Sequence, residues 1–158
     1  MSMQNFKDTL FLRAFGFFKI PLIFYVSPKV RELSRDICRI TIPLNRRTKN
    51  HLNSMYFGVL CTGADIAGGL LAMKLIQENG NRVNLVFKDF KADFLKRPDA
   101  DVDFVSKDGA KCEALVKKAL ETDDRVEDQV EIIATCPSRF GDEPVARFWL
   151  TISLKKRK

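Results

Sequence analysis

A chain of 158 residues that is 46% hydrophobic and 30% charged has the size and composition of one soluble globular domain with a core of its own. Four cysteines without CxxC spacing and a single histidine, His51, exclude a zinc constellation, and reduced thiols in a cytoplasmic protein are the expectation. The formal net charge of +7 raises nucleic acid as a partner, yet its clusters (Arg46, Arg47 and Lys49; Lys96 and Arg97; Lys155 to Lys158) accompany no helix-turn-helix, zinc finger or RNA-recognition motif, so no nucleic-acid binding is expected.

Residues 4–18 predict an amphipathic helix rich in aromatics (Phe6, Phe11, Phe15, Phe17, Phe18), closed before Pro21 by the restriction that proline places on its predecessors. Lys7, Asp8, Arg13 and Lys19 interrupt its apolar content, which argues against a signal-peptide core. Such a helix has two resting places, a membrane surface or its own domain, and docking on the domain is the expectation, with residues 1–26 as a helical extension. Next, Arg31 to Asn45 predicts one half-buried strand: Cys38, Ile40, Ile42 and Leu44 on one face, Arg39, Thr41 and Pro43 on the other, with Pro43 marking an end or an edge. The polar loop RRTKNHLNS follows, and its Asn53 or Ser54 is a candidate cap for the next helix.

That helix, from Tyr56 to Asn79, organises the chain. It is apolar on nearly every face, and between Tyr56 and Met73 its one charge is Asp65. Four glycines (Gly58, Gly63, Gly68, Gly69) and a mid-span carboxylate argue against a membrane span, so it predicts a core helix wrapped by sheet. Helical steps set Asp65 on a stripe of small neighbours (Gly58, Cys61, Thr62, Gly68, Gly69, Ala72), with Leu60, Ile66, Leu70, Met73 and Ile76 on the opposite, core-filling surface. A carboxylate there either finds a neighbouring partner or faces a narrow cleft.

Asn81 to Phe94 predicts a strand whose phase changes near Lys88–Asp89, the mark of a bulge. Val102 to Ser106 is a short strand, Ala110 to Glu121 a short helix, and Val126 to Cys136 a strand. After a turn around Pro137–Glu143 comes the cleanest alternation in the chain, with Ala146, Phe148, Leu150, Ile152 and Leu154 on one side and Arg147, Trp149, Thr151 and Ser153 on the other. Strands in succession favour an α+β domain with an antiparallel sheet spanning residues 1–158. One sheet cannot cover so apolar a helix, so a second subunit is expected.

The layout of strand, long buried helix and meander resembles the hotdog fold of acyl-CoA thioesterases. The stretch PLNRRTKNHLNSMYFGVLCTGADIAGGLLAM is similar to the branch related to the phenylacetate-pathway thioesterases, where an asparagine-bearing loop leads to a His-Gly-Gly-like turn and an Ala-Asp pair follows on the helix. Here Tyr56-Phe57-Gly58 stands in the turn, Ala64-Asp65 matches the Ala-Asp pair, and FLKRP (residues 94–98) looks like the family's strand end. The resemblance implies an antiparallel curved sheet around one long helix, with an added N-terminal helix. It implies hydrolysis of an acyl-CoA or related acyl thioester by a homodimer or dimer of dimers, without metal or cofactor beyond the coenzyme A of the substrate. Asp65 would then be nucleophile or general base, Gly58 the oxyanion donor and Asn50 a positioning residue. Tyr56, Phe57 and Thr62 become candidate substrate contacts, and Arg46, Arg47, Lys96 and Arg97 candidates for the coenzyme A phosphates. Tyr56 and Phe57 replace the histidine and first glycine of the pattern, which opens the alternative of a non-catalytic acyl- or lipid-binding protein. Stable membrane insertion is not expected.

Overall fold

The alternation in the C-terminal third builds the centre of a six-stranded sheet. A computed structural model describes residues 2–157. In chain order the elements are α1 (Met3–Lys19), α2 (Pro21–Tyr25), β1 (Lys29–Leu33), β2 (Cys38–Ile42), α3 (Phe57–Glu78), β3 (Val83–Phe94), β4 (Val102–Ser106), α4 (Gly109–Glu121), β5 (Val126–Thr135), α5 (Pro137–Phe140) and β6 (Pro144–Lys156). The strands lie in the order β1-β2-β4-β5-β6-β3, every pair antiparallel. On β6, Ala146, Phe148, Leu150, Ile152 and Leu154 are all buried, and the partners across the ladder continue that face: Ile132 opposite Phe148, Val130 opposite Leu150, Ile40 opposite Phe104. Burying one face of the pleat is what fixes this register.

The apolar face wraps α3. Its length and composition would suffice to cross a membrane, but 72% of its most apolar window is buried inside the fold, so it is a core helix. Its glycines let the sheet come close: the Phe104 ring occupies the space beside Gly63, and Ile132 reaches towards Gly68. α4 packs on the same side of the sheet, against α3, β5 and β6. The helix stops at Gly80 and Asn81, both at positive φ (79° and 57°), a left-handed exit that glycine and asparagine adopt most readily.

Three local expectations are corrected. The segment Arg31–Asn45 is not one strand: β1 and β2 form a hairpin, because Ser34 Oγ accepts hydrogen bonds from the Asp36 and Ile37 amides (3.2 and 3.1 Å) and turns the chain. Thr41 keeps the face opposite Ile40 and Ile42 but is buried rather than exposed there, its hydroxyl donating to Asp103 Oδ1 (2.6 Å) and accepting from Arg31 Nε (2.8 Å). Neither Asn53 nor Ser54 caps α3; the N-cap is Tyr56, with no side-chain cap, and Ser54 Oγ donates to Asn50 instead. The bulge in β3 is present, as a register shift between Phe87 and Asp89.

The two sheet edges differ. β1 is covered by α1, where Thr9 Oγ1 accepts the Val30 amide (2.9 Å) and the Asn5 side-chain amide donates to Arg31 O. β3, 12 residues long, pairs only with β6 among the described residues and exposes Val86, Phe90 and Phe94.

Candidate functional site

Asp65 lies half-buried in the third turn of α3 and lines a cleft of about 350 Å³. α3 contributes Gly69 and Met73 to the walls, α1 and α2 contribute Phe11, Phe15, Ile20 and Ile23, and β3 contributes Leu85 and Phe87. The expected surroundings are corrected: of the small stripe only Gly69 lines the cleft, while Ile66, Leu70, Met73 and Ile76, which helical steps set on the opposite surface, line it together with Asp65. Gly68 of the stripe, like Gly63, instead faces the sheet, where Ile132 and Phe104 take the room, and Gly58 lies under the Tyr56 ring. Burial raises the Asp65 pKa above its ordinary value, with neither an ion pair nor a hydrogen bond to it among the described residues. A desolvated carboxylate without a partner is poised to accept a proton.

Polar groups gather at one end of the cleft: Gln77, Asn81, Asn84 and Arg157, the last donating through Nε to Asn84 Oδ1 (2.8 Å). Sequence reasoning missed Asn84 and Arg157. The signal was the pairing of β3 with β6, which sets Asn84 opposite Lys155, and strand alternation alone does not reveal pairing.

Six of the other residues singled out in the sequence gather in a second groove, of about 500 Å³, lined by Asn50, His51, Tyr56, Phe57, Lys96 and Arg97. Backbone bonds hold it together: the Met55 amide donates to Pro98 O (2.8 Å) and the Tyr56 amide to Thr48 O (2.9 Å), which ties the FLKRP segment to the start of α3. Asn50 Oδ1 accepts from the Leu52 amide (2.9 Å), the Ser54 amide (3.2 Å) and Ser54 Oγ (3.2 Å), so its oxygen shapes the loop. The first amides bonded within α3 are those of Val59 and Leu60, both to Tyr56 O. The Phe57 and Gly58 amides thus stand ahead of the helical ladder, at the positive end of the helix dipole. The Tyr56 ring lies over Gly58, with its Cε1 at 2.7 Å from where a Cβ on that glycine would sit. Phe57 packs edge-on against Tyr56 and Phe94.

Not every candidate converges. Thr62 is buried and its hydroxyl donates to Gly58 O (2.8 Å). Arg46 and Arg47 are exposed outside both grooves, Arg47 standing over the Tyr25 ring. Lys96 pairs with Glu143 and Arg97 lies at the groove wall. The cysteines offer no nucleophile: burial pushes the Cys38 and Cys112 thiols up to about 12.

Asp65 and the Gly58 amide are seven residues apart on one helix, roughly 10 Å along its axis, and the two grooves share no lining residue. Asp65 thus opens on one groove and the turn at Phe57 on the other, with no wall residue in common.

A family model described as a domain of unknown function (DUF4442) matches residues 8–138, and no curated protein matches the chain. Among solved structures, a Pseudomonas aeruginosa protein described as a probable thioesterase is 22% identical, with a TM-score of 0.77 over 94% of this chain and 96% of its own. A Chlorobaculum tepidum protein of unknown function is 14% identical, with a TM-score of 0.81 over 97% of each chain. A Haemophilus influenzae thioesterase is 15% identical, with a TM-score of 0.66 over 85% of this chain and 82% of its own.

Proposed function

We propose that this chain, which belongs to the DUF4442 family and has the hotdog fold, hydrolyses an acyl-CoA or a related acyl thioester as a cytoplasmic homodimer. The observation that carries the reading is Asp65: an unpartnered, partly desolvated carboxylate on the central helix, facing an apolar cleft. In the reaction, Asp65 takes a proton from a water whose oxygen attacks the thioester carbonyl carbon. The tetrahedral oxyanion is held by the Phe57 and Gly58 amides of the partner subunit. The C–S bond then breaks, the Asp65 carboxylic acid returns its proton to the sulfur, and a carboxylic acid and a thiol leave. A second copy would carry its helix-start amides to this carboxylate, which within one chain opens on a different groove. The open edge of β3, with Val86, Phe90 and Phe94 exposed, is the surface for that pairing. Lys96 and Arg97 beside the loop groove suit the phosphates of coenzyme A, and Asn50 positions the loop.

A second reading rests on the Tyr56 ring over Gly58. With Tyr56 and Phe57 filling the turn, the protein would bind acyl chains without cleaving them. The deciding measurement is thiol release from short, long and aromatic acyl-CoAs by wild type and Asp65→Asn together. The expected result is turnover that falls at least about a hundredfold in the variant. Turnover unchanged in the variant removes Asp65 from the mechanism, and binding of acyl-CoA without turnover assigns the second reading.

A further inference from the structure

Helix α1 is apolar on its outward face as well as towards the cleft, unlike an ordinary surface helix. Its buried residues are Thr9, Leu12 and Gly16, two of them without an apolar side chain of any size. Its outward stripe, at helical spacing, is Met3, Phe6, Leu10, Phe17 and Phe18, exposed by 77, 57, 61, 59 and 75%. α2 extends the surface with Leu22, Phe24 and Tyr25. A soluble helix turns its apolar face to the core, and an apolar patch this continuous on the outside marks a contact surface.

The charges say what covers it. Lys7 and Lys19 are exposed on α1, the Arg13 guanidinium stands over the Phe24 ring (5.8 Å) and that of Arg47 over Tyr25 (5.5 Å). Asp8, the one acid in α1, is half-buried and accepts from Gln4 Nε2 (2.8 Å). The rim is therefore cationic. A second copy docked on the same patch would set like charges against each other, since a two-fold interface matches a surface with itself. An anionic bilayer surface offers the opposite sign, and Phe and Tyr seat at the boundary of headgroups and acyl chains.

We infer that the outward face of α1 and α2 docks on an anionic membrane surface, lying in the interface without crossing the bilayer. The same two helices carry Phe11, Phe15, Ile20 and Ile23 into the Asp65 cleft on their other side. Docking thus sets the cleft wall against the source of apolar chains; that consequence alone rests on the hydrolase reading.

The test is flotation of the full chain with phosphatidylcholine vesicles, with and without phosphatidylglycerol, at low and high salt, against Leu10→Glu/Phe18→Glu. Both side chains project from the fold, so the double variant should melt like wild type. The expected result is flotation at least about tenfold greater with the anionic vesicles, weakened by salt and lost in the variant. Failure to float with phosphatidylglycerol vesicles at low salt overturns the inference, as does unchanged flotation of the double variant. Wild type that fails to float but self-associates, with the variant monomeric on this face, assigns the patch to a second copy. No thioester enters the measurement, so its failure leaves the proposed hydrolysis standing.

Discussion

The Phe104 ring fills the space that a side chain on Gly63 would need: a Cβ built there would lie 2.3 Å from Phe104 Cζ. Phe104 is fully buried and sits between Ile40 on β2 and Ala134 on β5, so the ring has nowhere to go. This contact is what lets the sheet close on α3, and it separates two glycines that look alike in the sequence. At Gly69 the nearest atom to a built Cβ is Phe87 Cζ, at 3.4 Å, an ordinary contact.

Gly63→Ala is therefore expected to destabilise the protein by about 1–3 kcal/mol, overpacking outweighing the gain of about 1 kcal/mol in helix propensity. Gly69→Ala is expected to keep that gain and to stabilise by about 0.5–1 kcal/mol. Urea unfolding of the two variants beside wild type checks both signs; equal effects would remove the distinction.

Asp65 makes stability depend on pH. Its folded pKa is raised by burial, so between its ordinary value and the raised one the native state holds a proton that the unfolded chain has released. Stability from this group is present at low pH and falls as pH rises through that window. Asp65→Asn should be more stable than wild type at neutral pH, with the advantage vanishing in acid. If Asp65 is the base, the acid limb of kcat/KM should lie above the ordinary carboxylate range. Thermal melts and rate profiles across pH measure the two effects separately.

Asn50 separates shape from chemistry. Its oxygen receives three hydrogen bonds within the loop, so Asn50→Ala should cost about 1–2 kcal/mol by leaving those donors without their acceptor. Asn50→Asp keeps acceptor oxygens and should cost less, while removing the side-chain donor. Melting curves compare the two; an Asn50→Ala protein as stable as wild type would show that the loop does not depend on this side chain.

Much of the architecture was legible in residue order. The alternation of β6, the uniform apolarity of α3 and the phase change in β3 are local patterns, and each produced the element expected from it. Local pattern failed where a small polar residue turned the chain: the Ser34 turn splits β1 from β2, and its hydroxyl bonds are invisible in a hydrophobic alternation. It also failed on the surroundings of Asp65. Helical spacing gave the residue its neighbours along α3 but not the aromatic side chains that α1 and β3 bring, or Ile23 of α2, from elsewhere in the chain.

By itself, then, the sequence determined the long helix and the strands after it, the antiparallel class and the presence of one carboxylate in an apolar helix, because periodicity acts over a few residues. Only the tertiary structure decided that Asp65 and Phe57 line separate grooves, that the Thr62 hydroxyl and the Asn50 oxygen bond within their own segments, and that α1 leaves Phe6, Phe17 and Phe18 exposed. Those outcomes depend on which faces meet when distant segments pack, and no short window of residues contains both sides of such a contact.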